Sequence, residues 1–338
     1  MALRRRKVHY EAPLIVIDGP QLICLSANKS RFLALAIPEQ DGVKFDFIAV
    51  SVSPKNWERY LDSRVDLRFL FTYPFQRTHY TLSSEDLAKG ELWLSPYDAA
   101  IPEEYLPEHG LFATDHTEEY AEAATAADEE QLFIDGEWEM PEFGKFYQKY
   151  SDIYAFLAAL NNFRDKTIEQ VFKGRIMSAF RKKPFQGGSS YLHLFNELDE
   201  CLPRHQKLTL DAIKYASPGD VKMNGTSEIF AAEEAIILNY LSERKLINDQ
   251  YGKLREYLSR RNLLTAPGDR FLEDDPDATA IREMARGLCS AMRIERFEDI
   301  LALANENSLV AAKVVLSVQR RVEAASMFFA EGRMAFER

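Results

Sequence analysis

Through the first hundred residues, apolar positions arrive in short runs separated by turn residues. The runs are Pro13 to Ile17, Gln21 to Ala27, Arg31 to Ile37 and Val43 to Val52. Asp18-Gly19-Pro20, Asn28-Lys29-Ser30 and Asp41-Gly42 divide them, and these residue types adopt or preset the dihedrals of a chain reversal. Short runs with tight links predict an antiparallel meander. In the last run the apolar phase moves from Phe45 and Phe47 to Ile48, Val50 and Val52. A one-residue slip exchanges faces, so a bulge or bend is expected near Ile48. Ser53-Pro54 then opens a helix, with Ser as N-cap and Pro at the first helical position. Trp57, Tyr60 and Leu61 share its apolar face. Leu67, Phe69, Leu70 and Phe71 continue as a second apolar piece. His79 to Leu82 and Glu91 to Leu94 read as strands flanking a short helical stretch at Glu85 to Ala88.

After Ser151 the apolar period becomes helical. Ile153, Phe156, Leu157 and Leu160 mark one stripe, and Ile168, Val171, Phe172 and Ile176 another. Tyr191 to Leu198 reads as a helix. Leu208 to Tyr215 reads as a strand that turns at Ser217-Pro218-Gly219-Asp220 and returns through Val221 to Met223. Helices are expected from Ser227 to Leu246 and from Tyr251 to Leu258. Asp277 is the expected cap of a further helix, Ala278 to Met292. Asn307 to Glu337 is helix-permissive, with Val310, Val314, Val318 and Val322 as an i, i+4 ridge. Between the two halves, Leu132 to Trp138 carries an Asp135-Gly136 hairpin signal, and Glu118 to Glu130 is looser or helical. The expectation is an α+β fold. Residues 1–96 form a β-rich meander or small barrel-like domain, 97–150 an acidic connecting segment, and 151–338 a mainly helical domain.

Charge sharpens this division. Between Tyr97 and Glu142 lie 15 acidic residues and no Lys or Arg, against a net charge of -11 for all 338 residues. The remainder holds 38 of the 53 acids and 42 bases, so it is mildly basic. Charge gathered in this way points to contact guided by long-range fields. The longest apolar runs fall well below the ~18–20 residues that cross a bilayer, and no apolar stretch follows the basic start as a signal peptide requires. Cys24, Cys201 and Cys289 are far apart and odd in number, which reads as buried thiols in a reducing compartment and not as a disulfide framework. A cytoplasmic protein that does not enter membranes is expected.

No chemical motif stands out. Neither a Gly-x-Ser-x-Gly elbow, a phosphate loop nor a dinucleotide fingerprint is present. Gly187-Gly188-Ser189-Ser190 reads as a turn and N-cap. Asp115-His116 with Glu118 and Glu119 groups ligand types, but zinc needs three or four convergent ligands. The expectation is therefore no metal and no cofactor. From Gln170 to Asn196 there is no acidic residue. Lys173, Arg175, Arg181, Lys182, Lys183 and Tyr191 are the candidate anion or nucleic-acid contacts, because cations neutralise phosphates and aromatic faces stack on unpaired bases. The candidate partner contacts are Tyr105, Phe112, Glu118, Glu119 and Tyr120, where rings supply anchors and carboxylates steering. Asp18, Asp66, His193 and Glu197 are the groups from which a site assembled only in three dimensions would draw.

His9-Tyr10-Glu11-Ala12-Pro13-Leu14, then Phe47 to Ser53, then Val65-Asp66-Leu67-Arg68, resemble an uncharacterised bacterial β-rich domain over residues 9–71. The resemblance implies an accessory role in assembly or regulation and carries no activity. The expected function is a non-enzymatic binding or regulatory subunit of a bacterial multi-protein assembly, acting through charge-segregated surfaces. Its mechanism would be the acidic insert masking the basic patch until a partner displaces it. A nucleic-acid-binding protein using residues 172–191 is the alternative, and an enzyme with a non-local site the second. Protein partners are expected, and self-association is left open.

Overall fold

In the computed structural model of the full chain, the residues described are 5–17, 19–28, 30–38, 43–83, 92–113, 128–168, 170–181, 185, 191–216, 218–268, 271 and 276–336. Two compact units divide it at Ala124 and Thr125, and the fold is α+β.

The first unit is built on a closed antiparallel barrel in the order β1 (Arg6–Val16), β2 (Pro20–Ala27), β3 (Ser30–Ala36), β4 (Phe47–Val52), β5 (His79–Leu82) and β6 (Leu92–Tyr97). Closure depends on β1. Its first residues pair with β6 (Lys7 opposite Trp93) and the rest with β2 (Pro13 opposite Ile23). Register shifts at Glu11 and Leu14 let one strand bend between both partners. Asn28 takes a positive φ of 54° in the β2–β3 turn, a conformation Asn tolerates better than most residues.

Apolar residues line the barrel on two sides. Val8, Ile23, Leu25, Phe32, Ala34, Phe47, Ala49, Tyr80, Leu82, Leu92 and Leu94 form one cluster. Leu22, Cys24, Leu33, Ile48, Val50 and Val52 form a second with α1 (Pro54–Leu61) and α2 (Leu67–Thr72). Strands β2, β3 and β4 are thus covered on both faces, which is why they read as unbroken apolar runs. This overturns the bulge expected near Ile48. All six residues of β4 are buried and its register with β3 is continuous. The apparent change of phase is two-sided burial. Ser53 caps α1 as expected, accepting from Asn56 N at 3.1 Å.

The second unit combines a four-stranded sheet with seven helices among the described residues. The sheet order is β10 (Met334–Ala335), β7 (Asp128–Ile134), β9 (Gly219–Gly225), β8 (Thr209–Lys214). The helices are α3 (Met140–Arg164), α4 (Gln170–Arg181), α5 (Leu192–Cys201), α6 (Ser227–Arg260), α7 (Asp277–Ala291), α8 (Phe297–Leu303) and α9 (Ser308–Ala330). The central one is α9, buried without a break from Ser308 to Gln319. Apolar residues all round a helix are the mark of such a position.

Three local expectations change here. Asp135-Gly136 does turn, with Gly136 at φ 70°, but the chain enters α3 and no hairpin forms. Ile134 pairs with Gly219 and Met334 instead. Pro141 ends extended structure and suits a first helical turn, and Glu142 accepts from Glu139 N at 3.2 Å to start it. The two helices expected, Ser227 to Leu246 and Tyr251 to Leu258, do meet at a kink, but it falls earlier, at Glu243 (φ -108°, ψ 20°), within the continuous span of α6. Asp277 is the first residue of α7, not its cap; its Oδ1 accepts from Tyr257 Oη at 2.8 Å. No helix among the described residues is long and apolar enough to cross a membrane.

Candidate functional site

The basic stretch 170–181 folds as α4, with Ile176, Ala179 and Phe180 buried. Its cations have separate surroundings. Arg181 donates to Leu303 O at 3.1 Å and Ala302 O at 2.9 Å, satisfying carbonyls at the end of α8. Arg175 is exposed beside the Phe172 ring, 5.8 Å from its centroid, and Lys173 is half-buried. Tyr191 is only 8% exposed, and its ring meets Phe185 at 4.8 Å. Burial pushes its phenol up to about 12. Tyr191 and Phe185 are core packing, because a ring so covered has no face for a base. Lys182, Lys183 and residues 187–190 lie outside the described residues.

Tyr105 is likewise core, 4% exposed and edge-on to Phe45 at 6.3 Å. Its segment is fastened to α2. Arg68 pairs with Glu103 and donates to Pro107 O at 2.9 Å, and Asp66 accepts from Gly110 N at 3.1 Å. Phe112 is half-buried, while Glu118, Glu119, Tyr120 and the Asp115-His116 pair lie outside the described residues. Further acids of the block have partners in the second unit. Glu129 meets Lys222 at 2.8 Å, and Glu142 meets Arg333 at 2.8 Å. Asp128 accepts from Ser227 N at 2.8 Å, which holds its carboxyl below the ordinary value. Asp66 caps α2 in the first unit, whereas His193 and Glu197 lie on α5 in the second. Asp18 lies outside the described residues.

The acid that sequence reasoning missed is Glu233. It is wholly buried on α6, and neither carboxylate oxygen has a hydrogen-bond partner. Desolvation, with Glu130 nearby, pushes its carboxyl well above the ordinary value. The signal was present, since Glu233 interrupts the stripe Ile229, Phe230, Ile236, Ile237 and Tyr240. Burial also raises the thiols of Cys24 and Cys201 to about 12 and about 11, and that of Cys289 further. Each is a poor nucleophile near neutrality.

Strand β8 is an exposed feature of the second unit. It is one of the sheet's two edges, bonded to β9, and all six of its residues are exposed. Leu210 and Ile213 are three apart, a spacing that normally divides two side chains between opposite faces. A register shift at Asp211 removes that conflict. Leu210 then stands opposite Met223 and Ile213 opposite Val221, both buried. The two apolar side chains therefore share the core-facing side of the sheet, yet each is 42% exposed. Beyond the strand, Tyr215 Oη accepts from Trp138 N at 3.2 Å and donates to Gly136 O at 3.3 Å, fixing that end. Lys214 is exposed on the same edge. No family model, curated protein or solved structure matches this chain.

Proposed function

We propose that the chain is a non-enzymatic binding subunit of a bacterial protein assembly, and that it engages its partner by strand addition on β8. The observation that carries this reading is the edge itself, with Leu210 and Ile213 half-exposed on the core-facing side of the sheet. An edge strand presents unpaired backbone groups, and exposed apolar side chains beside it supply pockets for alternate residues of an added strand. The occupant is an extended segment of another protein, apolar where it meets Leu210 and Ile213 and acidic where it meets Lys214. The register shift at Asp211 and the charge of Lys214 restrict indiscriminate pairing.

This reading puts the working surface on β8 and not on the acidic block, a choice supported by the basic partners that three of its acids, Glu103, Glu129 and Glu142, already have in their own units. A reducing cytoplasm is the proposed location, supported by three buried free thiols.

The test is affinity capture from the source cell with the full chain, followed by hydrogen exchange on the recovered complex. Wild type and Arg175→Ala are expected to retain the same partner, and Leu210→Lys and Ile213→Lys to lose it, with β8 amides protected in the complex. Retention by both lysine variants, or loss by Arg175→Ala together with steep salt sensitivity, would refute strand addition and favour a charged surface. Sedimentation of the purified chain as a dimer, abolished by Ile213→Lys, would make the occupant a second copy and refute the distinct partner.

A further inference from the structure

Helix α6 is weakest where its hydrogen-bond ladder is interrupted. Glu243 leaves helical dihedrals, and Ser242 turns its hydroxyl back onto Asn239 O at 3.1 Å. Serines bonded to their own helix in this way often bend it. Residues 242–246 are also exposed without a break. These features make a hinge between a first arm, residues 227–242, and the rest of α6. The far end of that arm is pinned. Asp128 accepts from Ser227 N at 2.8 Å, and Tyr154 Oη accepts from Thr226 N at 2.8 Å. Near the hinge, Asn239 donates to Ala291 O at 2.8 Å. Between these ties Ile229, Phe230, Ile236, Ile237 and Tyr240 are buried.

Glu233 sits in the middle of this arm, wholly buried, with neither oxygen hydrogen-bonded. The groups facing it are acidic or neutral. From β7 comes the carboxyl of Glu130, and from α3 the phenols of Tyr150 and Tyr154. The Tyr150 hydroxyl is itself buried without a partner. Cations on the helices packed against α6 are engaged elsewhere. Lys149 of α3 and Arg321 of α9 both meet Asp152, at 4.0 and 2.6 Å. On α9, Lys313 donates to Phe185 O at 2.7 Å, and Arg320 has Tyr191 and Tyr251 beside it. On α7, Arg282 donates to Ser308 Oγ at 3.2 Å and Arg286 to Glu298 at 2.6 Å. A neutral acid tolerates such a site at the cost of unpaired polar atoms, whereas an isolated carboxylate there is far more costly.

We propose that the first arm of α6 is a proton-gated segment, closed over β7 and α3 while Glu233 carries its proton and released about Glu243 when that proton passes to solvent. In the open arm Glu233 is hydrated and titrates as an ordinary carboxyl. Opening thus releases a proton that closing must recover. It becomes easier as pH rises, by about tenfold per pH unit, from the ordinary carboxyl range up to the raised value of the closed arm. The buried apolar side chains keep the closed arm in the majority, so the gate acts on how often the arm opens. The gate does not depend on the strand-addition reading.

The experiment is amide hydrogen exchange on the full chain between about pH 5 and about pH 8, corrected for the intrinsic rate, which reads local opening directly. In the wild type, opening of residues 227–242 is expected to rise by up to about tenfold per pH unit, while residues 244–260 show no such rise. Glu233→Gln is expected to abolish the rise, and Glu233→Met serves the same purpose should the glutamine variant fail to fold. Glu130→Gln is expected to keep it, because the wholly enclosed oxygens are those of Glu233. Ile213→Lys is expected to leave it unchanged, which separates this gate from the strand-addition proposal. An equal rise in both arms, a rise that survives removal of Glu233, or one lost with Glu130 alone would overturn the gate.

Discussion

Glu233 and Asp152 are both buried carboxylates that desolvation raises, but only Asp152 has a cation against it. Asp152 meets Arg321 Nε at 2.6 Å, and Arg321 also donates to Ser317 O at 3.1 Å and lies 3.5 Å from the Phe195 centroid. Removing one member of such a pair strands the other, so Asp152→Ala is expected to cost about 3–5 kcal/mol in urea unfolding. Glu233 has no such cation. Burial and Glu130 favour its protonated form, and Tyr150 beside it is also raised by burial and has an unpartnered hydroxyl. The folded state therefore keeps a proton that the unfolded chain releases near 4.5. The contribution of Glu233 to stability is therefore greatest below that pH and falls as pH rises through the higher folded value, opposite in sense to the lowered carboxyls of Asp128 and Glu142. Glu130, raised by burial and Glu234, adds in the same direction. Glu233→Gln is expected to flatten this fall and add roughly 1–3 kcal/mol at neutral pH, read from urea midpoints across pH.

Elements here succeed or fail by what lies against them. β9 alternates buried Gly219, Val221, Met223 and Gly225 with half-buried polar residues, as a sheet with one core face should. Its last glycine is fixed by space. A Cβ at Gly225 would sit 2.7 Å from both Phe230 Cζ and Tyr154 Oη. The hydroxyl cannot yield easily, since it donates to Gln206 O at 3.0 Å and accepts from Thr226 N at 2.8 Å. Gly225→Ala is expected to destabilise by about 1–3 kcal/mol, with the chemical shifts of Tyr154 and Phe230 perturbed. The turn after β7 teaches the converse. Asp135-Gly136 reverses the chain as its residues dictate, but the next element was decided by Pro141 and the bonds of Glu142.

At the scale of the whole molecule, the apolar clusters of the barrel unit and that of the helical unit are distinct sets of residues. Calorimetry is expected to resolve separate unfolding transitions. Phe32→Ala, in the barrel, should weaken the transition of the first unit by about 3–5 kcal/mol and leave the other in place. A single transition shifted as one would contradict independent cores. The acidic block belongs to this scale too. It is continuous along the chain, but its described carboxylates are shared between the units, where Arg68, Lys222 and Arg333 meet three of them. Local charge counting cannot foresee such pairing, because Arg333 lies 191 residues from Glu142.

What the sequence determined by itself was whatever neighbours along the chain decide. Turn residues, the Ser53 cap, the helical period after Ser151 and the β8–β9 return all depend on dihedral preferences and nearby hydrogen bonds, and all were legible. Tertiary structure decided the rest. Closing the barrel covered one face of β4, α1 and α2 covered the other, and no bulge was needed. Packing turned Tyr105 and Tyr191 from apparent contact residues into core. The fold also left Leu210 and Ile213 at an open edge and enclosed Glu233 with Glu130 nearby. These outcomes rest on burial and electrostatics between distant segments, whose strength depends on distances in space that no local pattern encodes.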